Sequence, residues 1–183
     1  MNKSELKDVL KASYMPQSKA AAYLQKTQGY SYDPQLSSMQ QKVFLNRDGK
    51  PVITQRGSTR LSDWLIEDPA AMFGYTNTTR VKQAKQLAKD TKEKYGVDAT
   101  ITGHSLGGYL AEKGKTKESD VYTYNKASGL PSVFSSIPKT QHDYRTPLDI
   151  PSFLGQYQGS DKNTVSGSWN PIASHNLNYL KNL

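Results

Sequence analysis

The sequence predicts an α/β fold, a mostly parallel central sheet flanked by helices with a helical segment at its N-terminus. Three observations carry this. An apolar, β-branched run at Ala99, Thr100, Ile101 and Thr102 leads into Gly103 and then into helix-forming residues 109–113. An amphipathic helical stretch precedes that run, and further strand-like runs stand on either side. Strand, helix, strand, turn and helix in this order describe an α/β unit with a parallel core. With 183 residues and no internal repeat or linker, residues 1–183 are expected to form one domain around one sizeable core.

Taken in order, residues 4–14 read as a helix capped by Ser4, with Leu6, Val9, Leu10 and Ser13 on one face and Pro16 as its stop. Residues 19–26 read as a second helical piece ending near Gly29, and 30–38 as a polar, aromatic loop. Residues 42–47 and 50–55 are strand-like, and Asp48-Gly49 between them is a hairpin signal. Pro51 is tolerable at a strand's first positions. Residues 60–73 place Trp64, Leu65, Ile66, Met72 and Phe73 among acidic side chains; they read equally as a mobile flap and as a surface helix with a buried tryptophan. Residues 77–95 form the clearest helix. Val81, Ala84, Ala88, Thr91 and Tyr95 make its apolar stripe, lysines occupy the other side, and Gly96 closes it. Strands follow at 120–124 and 141–145, then a glycine-rich polar stretch at 156–171 and a short terminal helix at 174–180.

The chemistry centres on Gly103-His104-Ser105-Leu106-Gly107-Gly108, a G-x-S-x-G pattern between a strand and a helix. Such a turn strains its central residue and brings strand and helix so close that its neighbours must lack Cβ atoms. It projects the Ser105 hydroxyl above the sheet edge and turns the Leu106 N–H, at the helix start, toward the same space. A serine hydroxyl needs a base, usually a histidine oriented by a carboxylate. In compact α/β-hydrolase-like folds these partners follow in the order Ser, acid, His. His142 and His175 both follow Ser105; His175, in a loop leading into the terminal helix, is favoured over His142, which lies in a strand. Asp120, Asp143, Asp149 and Asp161 qualify as the acid by order. Asp149 is favoured because it follows a strand at its carboxyl end, the edge where ligands gather in parallel sheets, whereas Asp120 begins a strand. A tetrahedral intermediate needs two donors: Leu106 N–H is one, and Ser58, after Arg56-Gly57, is placed to be the second.

These residues resemble the class 3 lipases. Val52-Ile53-Thr54-Gln55-Arg56-Gly57-Ser58-Thr59, then Asp63-Trp64-Leu65-Ile66-Glu67-Asp68, then Thr102 to Gly108, are similar to that family's R-G-S/T, lid and G-H-S-L-G-G segments. The likeness extends more loosely to Tyr122-Thr123-Tyr124-Asn125, Asp149 and His175. It implies an α/β-hydrolase acting on carboxylic esters of lipids without a cofactor, with Ser105 as nucleophile, Asp149 as acid, His175 as base, and Ser58 and Leu106 as oxyanion donors. It makes residues 59–73 a lid whose Trp64, Leu65 and Ile66 face lipid. The chain is short for the family, and its helix after Ser105 stops near Gly114. That economy of length suggests a virus- or phage-encoded member.

Composition narrows the partners. The absence of cysteine excludes disulfides and thiolate metal sites, and three histidines disfavour a histidine-rich one, so no metal is expected. No apolar run approaches membrane-spanning length, and the first eight residues carry no hydrophobic signal core. The expectation is a soluble, cytoplasmic or virion-associated protein. A net charge of +8 favours anionic partners. Without an aromatic-interleaved basic motif, these are expected to be anionic membrane or lipid surfaces rather than nucleic acid. The alternative is a hydrolase fold retained without catalysis as a binding or virion component.

Overall fold

The structure, a computed structural model, describes residues 1–58, 78–127, 140–147, 149 and 162–182. Asn2, rather than Ser4, starts helix α1 (Lys3–Tyr14): its side chain accepts the Glu5 N–H at 2.9 Å, and the Glu5 carboxylate accepts the Asn2 N–H at 2.7 Å. This reciprocal capping box satisfies two orphan donors and moves the start of the helix ahead of the expected one. Leu6, Val9, Leu10 and Ser13 are buried together, as their spacing predicts. Helix α2 (Gln17–Gln28) ends at Gly29, whose φ of 68° is the left-handed cap that glycine adopts freely.

The sheet has seven strands in sequence order: β1 (Ser31–Asp33), β2 (Gln41–Leu45), β3 (Pro51–Gln55), β4 (Thr100–His104), β5 (Val121–Tyr124), β6 (Gln141–Arg145) and β7 (Lys162–Thr164). β1–β2 and β2–β3 are antiparallel; every pairing from β3 to β7 is parallel. This is the mostly parallel α/β sheet the sequence predicts. Two strands differ from the reading: β1 falls in the expected aromatic loop and β7 in the expected glycine-rich stretch. Both are three-residue outer strands, too short for an alternating pattern to stand out. The hairpin turn is where Asp48-Gly49 places it, with Gly49 at φ 73°.

Helices cover both faces. Val9, Ala12, Ala20 and Leu24 of α1 and α2 pack on Phe44 and Val52, and Leu6 and Leu10 pack with Tyr124 and Leu180 of the terminal 3-10 helix (Leu177–Asn182). On the other face, α3 (Thr79–Tyr95) sets Leu87 and Ala88 against Val43, Ile53, Ile101 and Val121. Its Val81 and Ala84 meet Leu106, Tyr109 and Leu110 of α4 (Leu106–Gly114). Lys82, Lys85, Lys89 and Lys92 of α3 are exposed, the solvated side of an amphipathic helix.

One buried ionic cluster braces α4 against the sheet. Lys126 Nζ lies 2.6 Å from Glu112 and 2.8 Å from Asp143, whose other oxygen accepts the Thr123 hydroxyl at 2.6 Å. Burial alone would raise the Glu112 pKa, but Lys126 and Lys113 beside it pull it down to about 2. The unfolded chain therefore binds a proton at Glu112 before the folded one does. The resulting stability, on the order of 3 kcal/mol, is complete above the usual carboxylate range and is lost as pH falls from about 5 toward 2. In urea unfolding, Glu112→Gln is expected to be less stable than wild type at pH 6, with the gap narrowing as pH falls to about 3. A gap independent of pH would contradict this account of the cluster.

Candidate active site

Strand β4 runs into α4 through Ser105, which has φ 57° and ψ −128°. A serine in that region is strained, on the order of 1–3 kcal/mol, and persists because its surroundings over-determine it. The Ser105 carbonyl accepts the N–H groups of Gly108 at 2.9 Å, Tyr109 at 3.3 Å and Ala127 at 3.1 Å, while its own N–H donates to the Tyr124 carbonyl at 3.2 Å. The glycines make room for this. A Cβ on Gly103 would strike the Gly107 carbonyl, and a Cβ on Gly107 would strike the Gln55 carbonyl on β3. Gly107→Ala is therefore expected to cost about 1–3 kcal/mol of stability through backbone displacement. Denaturant unfolding measures it, and an unchanged midpoint would contradict so close an approach.

The Leu106 N–H is among the first of α4 and has no acceptor within the helix by construction. Gly57 and Ser58 follow β3, and the loop passes next to Ser105: a Cβ on Gly57 would lie 2.6 Å from the His104 carbonyl oxygen and 3.4 Å from Ser105 Cβ. Ser58 is half-buried on this loop. β3 and β4 are adjacent and parallel, so both oxyanion candidates stand at the same carboxyl edge.

His175 follows the short α5 (Pro171–Ser174). Its Nδ1 lies 2.5 Å from Asp149 Oδ1, and both residues are buried. The two groups chosen from four acids and two histidines are thus hydrogen-bonded partners 26 residues apart in the chain. Of the other candidates, the described ones stand apart from this pair. His142 stacks on Tyr122 with ring centroids 4.6 Å apart, Asp143 belongs to the Lys126 cluster, and Asp120 is exposed at the start of β5. Asp161 and the lid candidates Trp64, Leu65 and Ile66, with the rest of 59–73, lie outside the described residues.

Three further residues hold this edge together and were not read from the sequence. Asn125, at φ 44° just after β5, donates to the Ser174 carbonyl at 2.9 Å and accepts the Thr146 N–H at 2.9 Å. Thr146 Oγ1 donates to the same Ser174 carbonyl at 2.9 Å. His104 Nε2 lies 2.8 Å from the His175 carbonyl. Both peptide carbonyls flanking the candidate base are therefore tied to the ends of β4, β5 and β6. An asparagine directly after a strand is the one sequence signal for such a turn, since asparagine tolerates positive φ.

Among the described residues no cluster of histidine, cysteine and carboxylate groups fits a metal ion, and no helix is long and apolar enough to cross a membrane. No match to the chain is found among curated proteins. Among solved structures, the chain is similar to a fungal lipase in complex with an inhibitor, described as a model for interfacial activation in lipases. The identity is 16%, the TM-score is 0.43, and the match covers 68% of this chain and 60% of that one. So distant a likeness carries no argument about chemistry. The family model of the Tle-like phospholipase domain, described as phospholipase-like, matches residues 8–147, from inside α1 through the end of β6. That span includes the Gly57-Ser58 loop and Ser105, and the chain belongs to this phospholipase-like family.

Proposed function

We propose that the protein hydrolyses the carboxylic esters of phospholipids, with Ser105 as nucleophile, His175 as general base and Asp149 as its orienting acid. The observation that carries this reading is the buried 2.5 Å Asp149–His175 pair, whose histidine packs its ring against His104, the residue before the strained serine, at 4.8 Å between centroids. In the proposed reaction Ser105 Oγ attacks the acyl carbonyl as His175 Nε2 takes its proton. Asp149 holds the Nδ1–H tautomer and stabilises the imidazolium that forms. The Leu106 and Ser58 N–H groups receive the oxyanion. His175 then protonates the departing alcohol, and water repeats the sequence to release the fatty acid.

Phospholipid is preferred over neutral glyceride because the chain belongs to a phospholipase-like family and carries a net charge of +8. Lysines and arginines near an anionic surface contribute about 1 kcal/mol each to docking. Residues 59–73, with Trp64, Leu65 and Ile66, are proposed as the lipid-facing lid. The test is fatty-acid release from vesicles of anionic phospholipid and from triacylglycerol emulsions, each compared with Ser105→Ala. Release from phospholipid that depends on Ser105 supports the reading. Release from triacylglycerol alone would reassign the substrate, and no release from either would favour a hydrolase fold kept for binding.

A further inference from the structure

His104 occupies a variable position of the G-x-S-x-G pattern, yet its imidazole is buried and both ring nitrogens are engaged. Nε2 faces the His175 carbonyl at 2.8 Å; a carbonyl only accepts, so Nε2 carries the proton. Nδ1 is then an acceptor, and its partner at 2.8 Å, the Tyr14 hydroxyl, is the donor. The tautomer follows from the acceptor-only carbonyl. The ring is held edge-on by Tyr14 at 5.8 Å and stacked by Tyr124 at 5.7 Å. Burial, with His175 adding to it, pulls the His104 pKa down to about 3, so the ring stays neutral through ordinary working pH.

Tyr14 is the last residue of α1 and reaches the site from the opposite helical layer to α4. The Gly57 loop passes directly against its phenolic oxygen, which a Cβ on Gly57 would strike. Arg56 and Arg80 add positive charge on the same side. The Arg56 guanidinium lies 5.9 Å from the Tyr14 ring centroid, and Arg80 reaches the Arg56 carbonyl at 2.5 Å. Burial holds the hydroxyl above the usual phenol range, so it remains a proton donor to His104.

We propose that Tyr14 and His104 are positioning residues: a hydrogen-bonded relay from the Tyr14 hydroxyl, packed against the Gly57 loop, through His104 to the His175 carbonyl keeps the oxyanion loop and the general base in register across Ser105. The proposal rests on the functional reading above for its catalytic consequence, but the relay itself is observable without catalysis. Breaking it at Tyr14 frees His104 Nδ1 and lets the His175 peptide and the Gly57 loop shift independently. Misplacement of catalytic groups by about 1 Å can cost roughly 10²-fold in rate. Substrate contacts are untouched, so the loss falls on kcat rather than KM.

The experiment compares Tyr14→Phe, His104→Phe and the double variant, with Tyr23→Phe as control. Tyr23 also bonds through its hydroxyl, to Asp8 at 2.6 Å, but on α2 and outside the relay. On a short soluble p-nitrophenyl ester, Tyr14→Phe is expected to lower kcat by roughly 10- to 100-fold with KM nearly unchanged. Two residues acting as one chain are non-additive, so the double variant should lose no more than His104→Phe alone. Nitrogen-15 NMR of the histidine rings should show His104 protonated at Nε2 in the wild type. In Tyr14→Phe that signature and the His175 Nδ1–H resonance should both shift, while Tyr23→Phe leaves them in place. Multiplicative losses in the double variant, or an unmoved kcat in Tyr14→Phe, would overturn the proposal. If the wild type hydrolyses no ester, the functional reading fails by itself. The relay is then judged by NMR, and a His175 resonance indifferent to the Tyr14 hydroxyl would overturn it. Should His104→Phe not fold, Tyr14→Phe decides by the same two readouts.

Discussion

Ser105→Ala is expected to lower ester hydrolysis by about 10⁵- to 10⁶-fold, the scale on which a serine hydrolase loses its nucleophile. The expectation comes from the backbone as much as from the hydroxyl. Ser105 is one of two non-glycine residues at positive φ among the described residues; the other, Asn125, is the one that ties down the Ser174 carbonyl. Strain at a glycine-flanked bend is retained where it has a use, and here it presents a hydroxyl at the carboxyl edge of β4, beside Gly57 and the first turn of α4. Alanine keeps the bend and removes only the oxygen, so stability should change by no more than a few tenths of a kcal/mol to about 1 kcal/mol. Initial rates on a soluble ester and a thermal denaturation curve check both halves. A rate within tenfold of wild type would assign the chemistry to another group.

Asp149→Asn is expected to lower kcat by about 10⁴-fold. The Asp149 carboxylate accepts from His175 Nδ1 at 2.5 Å in a buried site. An amide placed there can offer a donor where an acceptor is required, which favours the tautomer that leaves Nε2 protonated and unable to take the serine proton. The contrast with Asp143 sharpens the test. Asp143→Asn should leave the rate near wild type but lower stability, because Asp143 bonds Thr123 and Lys126 rather than a histidine. Were Asp143→Asn the variant that lost activity and Asp149→Asn the one that kept it, the assignment of the acid would be reversed. Steady-state rates and urea midpoints for the two variants decide it.

The parts of this site legible in the sequence are those that local sterics dictate. Gly103 and Gly107 mark a close approach of strand and helix because no side chain fits there, and the structure shows each Cβ colliding with a carbonyl. The choice of Asp149 over Asp120 followed from which end of a parallel strand each occupies, and the strands run in that direction. What was not legible depends on groups distant in sequence. Tyr14 reads as the end of an ordinary amphipathic helix; its bond to His104 spans 90 residues. Lys126 lies just past the strand read at 120–124, with no local pattern to mark it, and is buried between Glu112 and Asp143. Lys42 reads only as the first residue of a strand-like run. It lies fully buried instead, donating to the Ser13 carbonyl at 2.7 Å, with burial and then Arg56 pulling its pKa down to about 8. The strands β1 and β7 were missed for a different reason. Three residues each, at the outer edges of the sheet, they owe their conformation to their pairing with β2 and β6.

The central claim is that a strained serine is activated by a histidine delivered from the C-terminal segment. Reaction with a fluorophosphonate, followed by peptide mapping, tests it without any assumption about substrate. The account predicts modification confined to Ser105 in the wild type and slowed by orders of magnitude in His175→Ala. Modification at another residue, or a Ser105 that reacts equally well without the His175 imidazole, would contradict it.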